Sequence, residues 1–317
     1  MSAKHNTAAA LMLAILVAGC KVDPPPTVSG GADEQGFRTD CYAAVKLETD
    51  VPPADRAVFV LVDQTTGLDK DLRGTVAANV AKLLGPGTAF SIATFSARTS
   101  GRYAKILAEG ELQSPPPEEA RPDLPVDRLN RLDACLAQQA KGMKAAVARK
   151  AQAATKVTAS TFTNSEILAS LTQLSEAVEA SDAKHKLVIV VSDLLEHSPV
   201  TTFYSKKDLR RIDPAAELEK ARQAGLIGNF GGAQVAIVGA GLLSGEHGQS
   251  IRDTAALAAL RTFWKSWVTE SQGEIAQYGE PDLVKPLRWE TAKAEAGEDA
   301  DGGADAGAGD EDAGPAD

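Results

Sequence analysis

The sequence predicts an α/β fold in which a mainly parallel central sheet carries helices on both faces, a Rossmann-like arrangement. Three apolar runs, at 57–62, 187–191 and 233–238, have the length of strands and lack the alternation of a half-exposed strand, which indicates burial on both faces. Amphipathic segments lie between these runs. Strands that alternate with helices in this way are typical of parallel sheets.

The elements follow in order along the chain. The first strand ends at Asp63, and acidic residues at 69 and 71 mark the start of a helix that runs to residue 84. Further strands are predicted over 89–96, 103–107 and 274–278, with antiparallel edge pairing as an option for 103–107. Further helices are predicted over 126–157, with a possible break at Gly142, and over 165–179, 215–224 and 251–270.

The N-terminus predicts export and lipid anchoring. Residues 1–19 combine a weakly basic start with an apolar run too short to span a bilayer, which is typical of a signal peptide. The run ends in Val-Ala-Gly-Cys and resembles the lipobox of bacterial lipoproteins, which implies lipidation of Cys20. Lys21 after the cysteine favours the outer membrane, facing the periplasm. The alternative is an ordinary signal peptide followed by a chance cysteine.

Composition divides the rest of the chain into three parts. Residues 20–36 hold three consecutive prolines and few apolar groups, so they are expected to form a flexible tether. Residues 290–317 hold ten acids and one lysine and are expected to form a disordered acidic tail. The tail therefore carries −9 of the formal −10, and the domain predicted over 37–289 is close to neutral. Nucleic acid is not an expected partner.

Two cysteines remain in the exported body, Cys41 and Cys135. An even pair in an oxidising compartment favours a disulfide, which would join the segment before the first strand to the long helix. The alternative is two separate buried thiols.

Polar residues follow the predicted strands at comparable places. Asp63, Thr65 and Thr66 follow the first strand, a loop of hydroxyl residues spans 161–165, and Ser192 with Asp193 follows a later strand. The carboxyl ends of parallel strands meet at one edge of a sheet. Carboxylate and hydroxyl oxygens are the ligands that Mg²⁺ and Mn²⁺ prefer.

These features resemble the von Willebrand factor A domain over most of 57–273. That family builds a metal-ion-dependent adhesion site from an Asp-x-Ser-x-Ser run, a threonine on a second loop and an aspartate on a third. The resemblance places Asp63 at the first aspartate, Thr65 at the first serine, Thr163 at the loop threonine and Asp193 at the last aspartate. Gly67 replaces the second serine and offers no side-chain ligand.

The resemblance implies a Mg²⁺ or Mn²⁺ site that is partly degenerate, and a non-enzymatic protein that binds an envelope protein or polymer. One alternative is that the same groups only cap helices and satisfy loop backbone. A second is a divergent α/β hydrolase or phosphatase that uses Asp63, although phosphatases of this kind need an acid where Thr65 stands. The glycines at 239–245 resemble a dinucleotide fingerprint, but turn glycines explain them better because no helix pattern continues from them.

Overall fold

The structure is a computed structural model that describes residues 40–99, 102–156, 165–205, 208–242 and 253–289. The strands are β1 (Arg56–Asp63), β2 (Thr88–Thr99), β3 (Arg102–Leu112), β4 (His185–Val191), β5 (Tyr204–Ser205), β6 (Asp208–Leu209), β7 (Gln234–Val238) and β8 (Glu274–Tyr278). The helices are α1 (Cys41–Val45), α2 (Lys70–Leu83), α3 (Val126–Ala154), α4 (Ile167–Glu179), α5 (Pro214–Gln223) and α6 (Thr254–Glu270), with a 3-10 turn at Arg121–Asp123. Within these ranges, no helix has the length and apolar character needed to cross a membrane.

Six strands form one sheet in the order β3-β2-β1-β4-β7-β8. All neighbouring pairs are parallel except β2 and β3, which are antiparallel. The α/β class and the mainly parallel sheet are confirmed. Connections leave β1 towards β2 on one side and reach β4 on the other, so a crevice is expected where the carboxyl ends of β1 and β4 meet.

Strand β1 explains why both faces of the sheet are covered. Ala57, Phe59 and Leu61 point into a core formed with α4, α5 and α6. Val58 and Val60 point into a second core, formed with α2 and α3. Seven of the eight residues of β1 are buried, because apolar side chains leave both faces of the strand.

The structure differs from the sequence predictions mainly at element ends. Helix α3 runs through Gly142 without a break, and β3 extends to Leu112, well beyond the predicted end at residue 107. The short helix α1 was not predicted. It begins at Asp40, whose side chain accepts a hydrogen bond from the amide of Ala43, a local cap that hydrophobic periodicity does not reveal.

Cys41 and Cys135 form a disulfide in this structure, with a Cα–Cα distance of 5.7 Å. It joins α1 to α3 across 94 residues of sequence. The bridge lies in a small third core between these two helices. The segment that precedes β1 is therefore fastened to the body at this point.

The signal peptide, Cys20, the tether and the acidic tail lie outside the described residues, so their predictions stay predictions.

Candidate functional site

The ends of β1 and β4 bring the first and third polar loops together. The two strands pair in parallel up to Val62 and Val191. The residues that come next, Asp63 after Val62 and Ser192 after Val191, therefore lie side by side. Asp63 has 1 % of its surface exposed and Asp193 has 3 %. The buried strands thus carry two carboxylates to the same edge of the sheet, below the surface of the molecule.

Four hydrogen bonds converge on the carboxylate of Asp63. Its Oδ1 accepts from the amide of Thr65 at 2.8 Å and from the hydroxyl of Thr65 at 2.6 Å. Its Oδ2 accepts from the hydroxyl of Ser192 at 2.7 Å and from that of Ser165 at 3.4 Å. Three loops therefore contribute hydroxyl groups to one carboxylate.

The second loop reaches the site through Ser165. Its hydroxyl lies 3.1 Å from the Thr65 hydroxyl, in addition to its bond to Asp63. Thr163, the predicted ligand on this loop, lies outside the described residues. The structure therefore brings together Asp63, Thr65 and Asp193 of the four predicted ligands.

Thr66 ties the first loop to the third, since its hydroxyl accepts a hydrogen bond from the amide of Asp193 at 3.0 Å. Two bonds close the third loop on itself: Asp193 Oδ1 accepts from the amide of Leu195 at 2.9 Å, and the Tyr204 hydroxyl donates to Asp193 Oδ2 at 3.4 Å. Thr66 thus links two loops that approach the site from different strands.

Burial controls the ionisation of both aspartates. Desolvation raises the pKa of Asp63, although hydrogen bonds from Thr65, Ser192 and Ser165 partly offset the rise. Desolvation and then the negative charge of Asp63 raise the pKa of Asp193 to about 8. Neither carboxylate forms an ion pair with a lysine or arginine within the described part of the chain. Both carboxyl groups therefore favour their protonated forms, because burial penalises the charge and no described lysine or arginine pairs with either.

Contacts with α6 and with the turn after β7 fix the loop that carries Asp193. Leu194 has a positive φ of 61°, which a leucine rarely adopts, and its carbonyl accepts from the indole of Trp264 on α6 at 2.9 Å. The Asp193 carbonyl accepts from the amide of Gly241 at 2.8 Å. Gly241 needs to be glycine, since its φ is +71° and a Cβ there would lie 2.5 Å from Leu257. The glycines after β7 therefore support the site, in agreement with their interpretation as turn glycines.

A third acid, Glu196, lies just behind the pair and is fully buried. Its Oε2 accepts from the amide of Leu168 in the first turn of α4 at 2.9 Å, while Oε1 has no hydrogen-bond partner among the described residues. Desolvation raises the pKa of Glu196 to about 7. The neighbouring His197 forms two backbone bonds with Ser165, of 2.8 and 3.1 Å. These contacts fasten the second loop to the third.

The oxygens at this edge fit a hard divalent cation in their chemistry. Two carboxylates and the hydroxyls of Thr65, Ser165 and Ser192 are hard oxygen donors, and a cation would relieve the mutual repulsion of the carboxylates. No cluster of three or more histidine, cysteine, aspartate or glutamate side chains suited to a metal occurs in the described ranges. Any cation would therefore depend on hydroxyl and solvent oxygens beside the two aspartates.

The sequence placed Ser165 and Ser192 on the polar loops but did not single them out as site residues, and it did not indicate Glu196 at all. Ser192 directly follows the buried run at 187–191, so the sequence already placed it at the same edge of the sheet as Asp63. No sequence pattern indicated a buried Glu196, because the A-domain pattern has no acid at that position. Arg210 also has a role that the sequence did not indicate, since its Nη2 forms an ion pair with Oε1 of the buried Glu217 at 2.6 Å.

Comparisons with known proteins give a likeness in structure but none in sequence. No protein family model matches the sequence, and no curated protein matches it. One matching solved structure is the crystal structure of an aerotolerance-related membrane protein from Bacteroides fragilis NCTC 9343 with multiple mutations to serines. The match covers 70 % of the present chain and 89 % of the Bacteroides chain, with 14 % sequence identity and a TM-score of 0.29. At that score the likeness carries no conclusion about function.

Proposed function

We propose that this protein is a lipid-anchored protein of the bacterial envelope whose A-domain-like body binds a partner through a divalent cation at Asp63 and Asp193. The observation that carries the proposal is the pair of buried carboxylates that repel one another beside three hydroxyl groups, with no cationic side chain of the described ranges paired to either. A buried pair of this kind costs stability unless a cation or a proton neutralises it. Functional sites accept such a cost more often than structural ones do.

Asp63, Asp193 and the hydroxyls of Thr65 and Ser165 would hold the cation. When bound, Mg²⁺ or Mn²⁺ supplies positive charge and keeps open positions for an outside ligand, because these ions use few protein oxygens. The outside ligand would be a carboxylate of an envelope protein or polymer. Thr66 is not placed among the ligands, because its hydroxyl already accepts from the amide of Asp193. Gly67 contributes no side chain, so a water molecule would take the ligand position that the second serine fills in the A-domain pattern.

The two ends of the sheet give this arrangement a direction. Asp40, where the described chain begins, lines a cavity beside Ala57 and Ala89, at the amino ends of β1 and β2. Asp63, at the other end of β1, lies six residues after Ala57. The two residues are therefore roughly 20 Å apart, for a strand rise of about 3.3 Å per residue. The segment that starts at Cys20 therefore joins the described body at the end of the sheet opposite to Asp63.

Thermal unfolding in the presence of metal tests the site. We expect millimolar Mg²⁺ or Mn²⁺ to raise the unfolding midpoint of the purified protein, with a gain of about 2.7 kcal/mol when the ion is at 100 times its Kd. Asp63→Asn and Asp193→Asn should abolish the rise, while Glu176→Gln, which alters an exposed acid on α4, should leave it unchanged. No midpoint shift in the unmodified protein would contradict the metal site.

The anchor is tested separately. Cys20→Ser should move the protein from the membrane fraction to the soluble fraction of its host and should abolish incorporation of labelled fatty acid. Unchanged membrane association in the variant would contradict lipid anchoring, and would leave the metal experiment unaffected.

An assay with phosphoester and ester substrates addresses the hydrolase alternative. We expect no turnover. Turnover that disappears in Asp63→Asn would replace the binding proposal with an enzymatic one. Cys135 is not available as a nucleophile in this structure, because it is buried and bonded to Cys41.

A further inference from the structure

A second candidate site lies at the opposite end of the sheet, where a cavity of about 560 Å³ opens between β1, β2, β3 and the C-terminal part of α4. We call it the amino-end pocket. It exists because small side chains line both of its walls. The wall residues from the sheet and from α4 are Ala57, Ala89, Ser91, Ala177, Ala180 and Ser181. The volume lies within the range of ligand pockets, about 300 to 1,000 Å³.

The floor of the amino-end pocket is apolar and its rim is acidic. Phe59 and the two sheet alanines provide the floor, while Asp40, Glu109 and Glu111 stand at the rim. None of the lining residues is a lysine, arginine or histidine. Among the described residues that line it, the pocket thus combines apolar surface with negative charge and has no cation to compensate that charge.

The three rim acids are not equally free to bind a ligand. Asp40 accepts from the amide of Ala43 at 3.1 Å and from the Gln113 side chain at 3.2 Å, so it is committed to capping α1. Glu111 is partly buried, and its side chain forms no hydrogen bond or ion pair with any other described residue. Its partial burial raises its pKa through desolvation alone. Glu111 is therefore the acid best placed to bind a cation, and the exposed Glu109 is the next best placed.

From this geometry we propose that the amino-end pocket binds a lysine or arginine side chain presented by a partner protein. Such a side chain has an aliphatic stem and a cationic head. The stem would lie on Phe59, Ala57 and Ala89, and the head would pair with Glu111 and Glu109. This complementarity in both charge and polarity distinguishes a basic side chain from an apolar or anionic ligand. The site is independent of Asp63, which lies at the other end of β1.

Fluorescence anisotropy with a labelled peptide of sequence Ala-Leu-Arg-Leu-Ala tests the proposal on the full chain. We expect binding that weakens at least fivefold in Glu111→Gln, less in Glu109→Gln, and markedly between 50 and 300 mM salt. Ala177→Trp, at an exposed position on α4, should block the pocket without altering any acid. Glu118→Gln, which alters an exposed acid outside the pocket, should bind as the unmodified protein does. Thermal midpoints of all variants establish that they fold.

Three results would overturn the proposal. The first is equal binding of Ala-Leu-Arg-Leu-Ala and the neutral peptide Ala-Leu-Gln-Leu-Ala, and the second is unchanged binding by both Glu111→Gln and Ala177→Trp. The third concerns Arg38, which lies two residues before Asp40 in the sequence and could occupy the pocket itself. If only the Arg38→Ala variant binds the peptide, the pocket belongs to the protein's own chain and not to a partner.

Discussion

Glu217 and the Asp63–Asp193 pair are almost equally hidden from solvent, but their surroundings differ in charge. Glu217 is 2 % exposed and accepts hydrogen bonds from Thr201 at 2.6 Å, from Arg210 at 2.6 Å and from Lys220 at 3.0 Å. Although desolvation raises its pKa, these bonds lower it by more, so the net pKa is below its usual value. From the described residues the aspartates receive hydroxyl and amide donors alone, and their pKa values are raised.

The difference separates a structural acid from a candidate binding site. The charge of Glu217 is neutralised within the fold, so it stabilises the loop after β4 at every pH where it is ionised. The aspartates need an outside proton or cation for the same neutralisation. Four predictions test this contrast, from the largest expected effect to the smallest.

The largest effect is expected from pH in the absence of metal. Because the folded-state pKa of Asp193 is about 8, the folded protein holds a proton that the unfolded chain has lost above about pH 4. Its stabilisation is complete below that pH and declines towards pH 8, by at most about 1.4 kcal/mol per pH unit for each such carboxyl. Urea unfolding in chelator at pH 5, 6.5 and 8 measures this decline.

Glu217 provides the internal contrast in the same experiment. Its folded-state pKa is lowered, so its contribution is present above its unfolded-state pKa and is lost only in more acidic solution. Stability that stays flat from pH 5 to pH 8 in chelator would contradict the unneutralised pair. Millimolar Mg²⁺ should reduce the decline, because a bound cation replaces the proton.

Removal of Arg210 should cost about 2 to 3 kcal/mol of unfolding free energy, because Glu217 then stays buried with Lys220 as its only ion-pair partner among the described residues. The control is Arg222→Ala, which breaks surface pairs with Glu219 and Glu270 and should cost less than about 1 kcal/mol. Denaturant midpoints of both variants measure the difference. Equal losses would show that the Glu217 cluster is no more dependent on its cation than a surface pair.

Neutralisation of one aspartate should have the opposite sign. Asp193→Asn keeps an oxygen for the amide of Leu195 and removes the repulsion with Asp63. We expect the metal-free protein at pH 8 to gain about 1 kcal/mol of unfolding free energy and to lose its response to Mg²⁺. A loss of stability in chelator, with the metal response retained, would show that Asp193 acts as a structural acid.

The smallest effect concerns the bond between the loops. Thr66→Val removes the acceptor of the Asp193 amide and leaves a buried donor unpaired, at a cost of about 1 kcal/mol. Thr262→Val, which alters an exposed hydroxyl on α6, should stay within about 0.5 kcal/mol of the unmodified protein. Metal titration calorimetry on Thr66→Val should also show weaker binding, because Asp193 is then held less firmly.

The long helices and strands were predictable from the sequence, because the spacing of apolar residues along the chain shows which faces of an element are buried. The runs that became β1, β4 and β7 are apolar on both faces, and only a sheet covered by helices on both sides satisfies such runs. Element ends were less predictable. The end of β3 depends on pairing with β2 across a bulge, and α1 depends on a single capping side chain.

The sequence by itself determined the fold class and the strand ends that carry Asp63 and Asp193, because these follow from local pattern and the geometry of parallel sheets. Only the tertiary structure decided that Ser165 and Ser192 join Asp63, that Glu196 turns inward, and that Glu217 has a cationic partner while neither aspartate pairs with a described one. The physical reason is that the cost of a buried charge depends on neighbours brought from distant parts of the chain. Residue type and spacing carry no record of those neighbours.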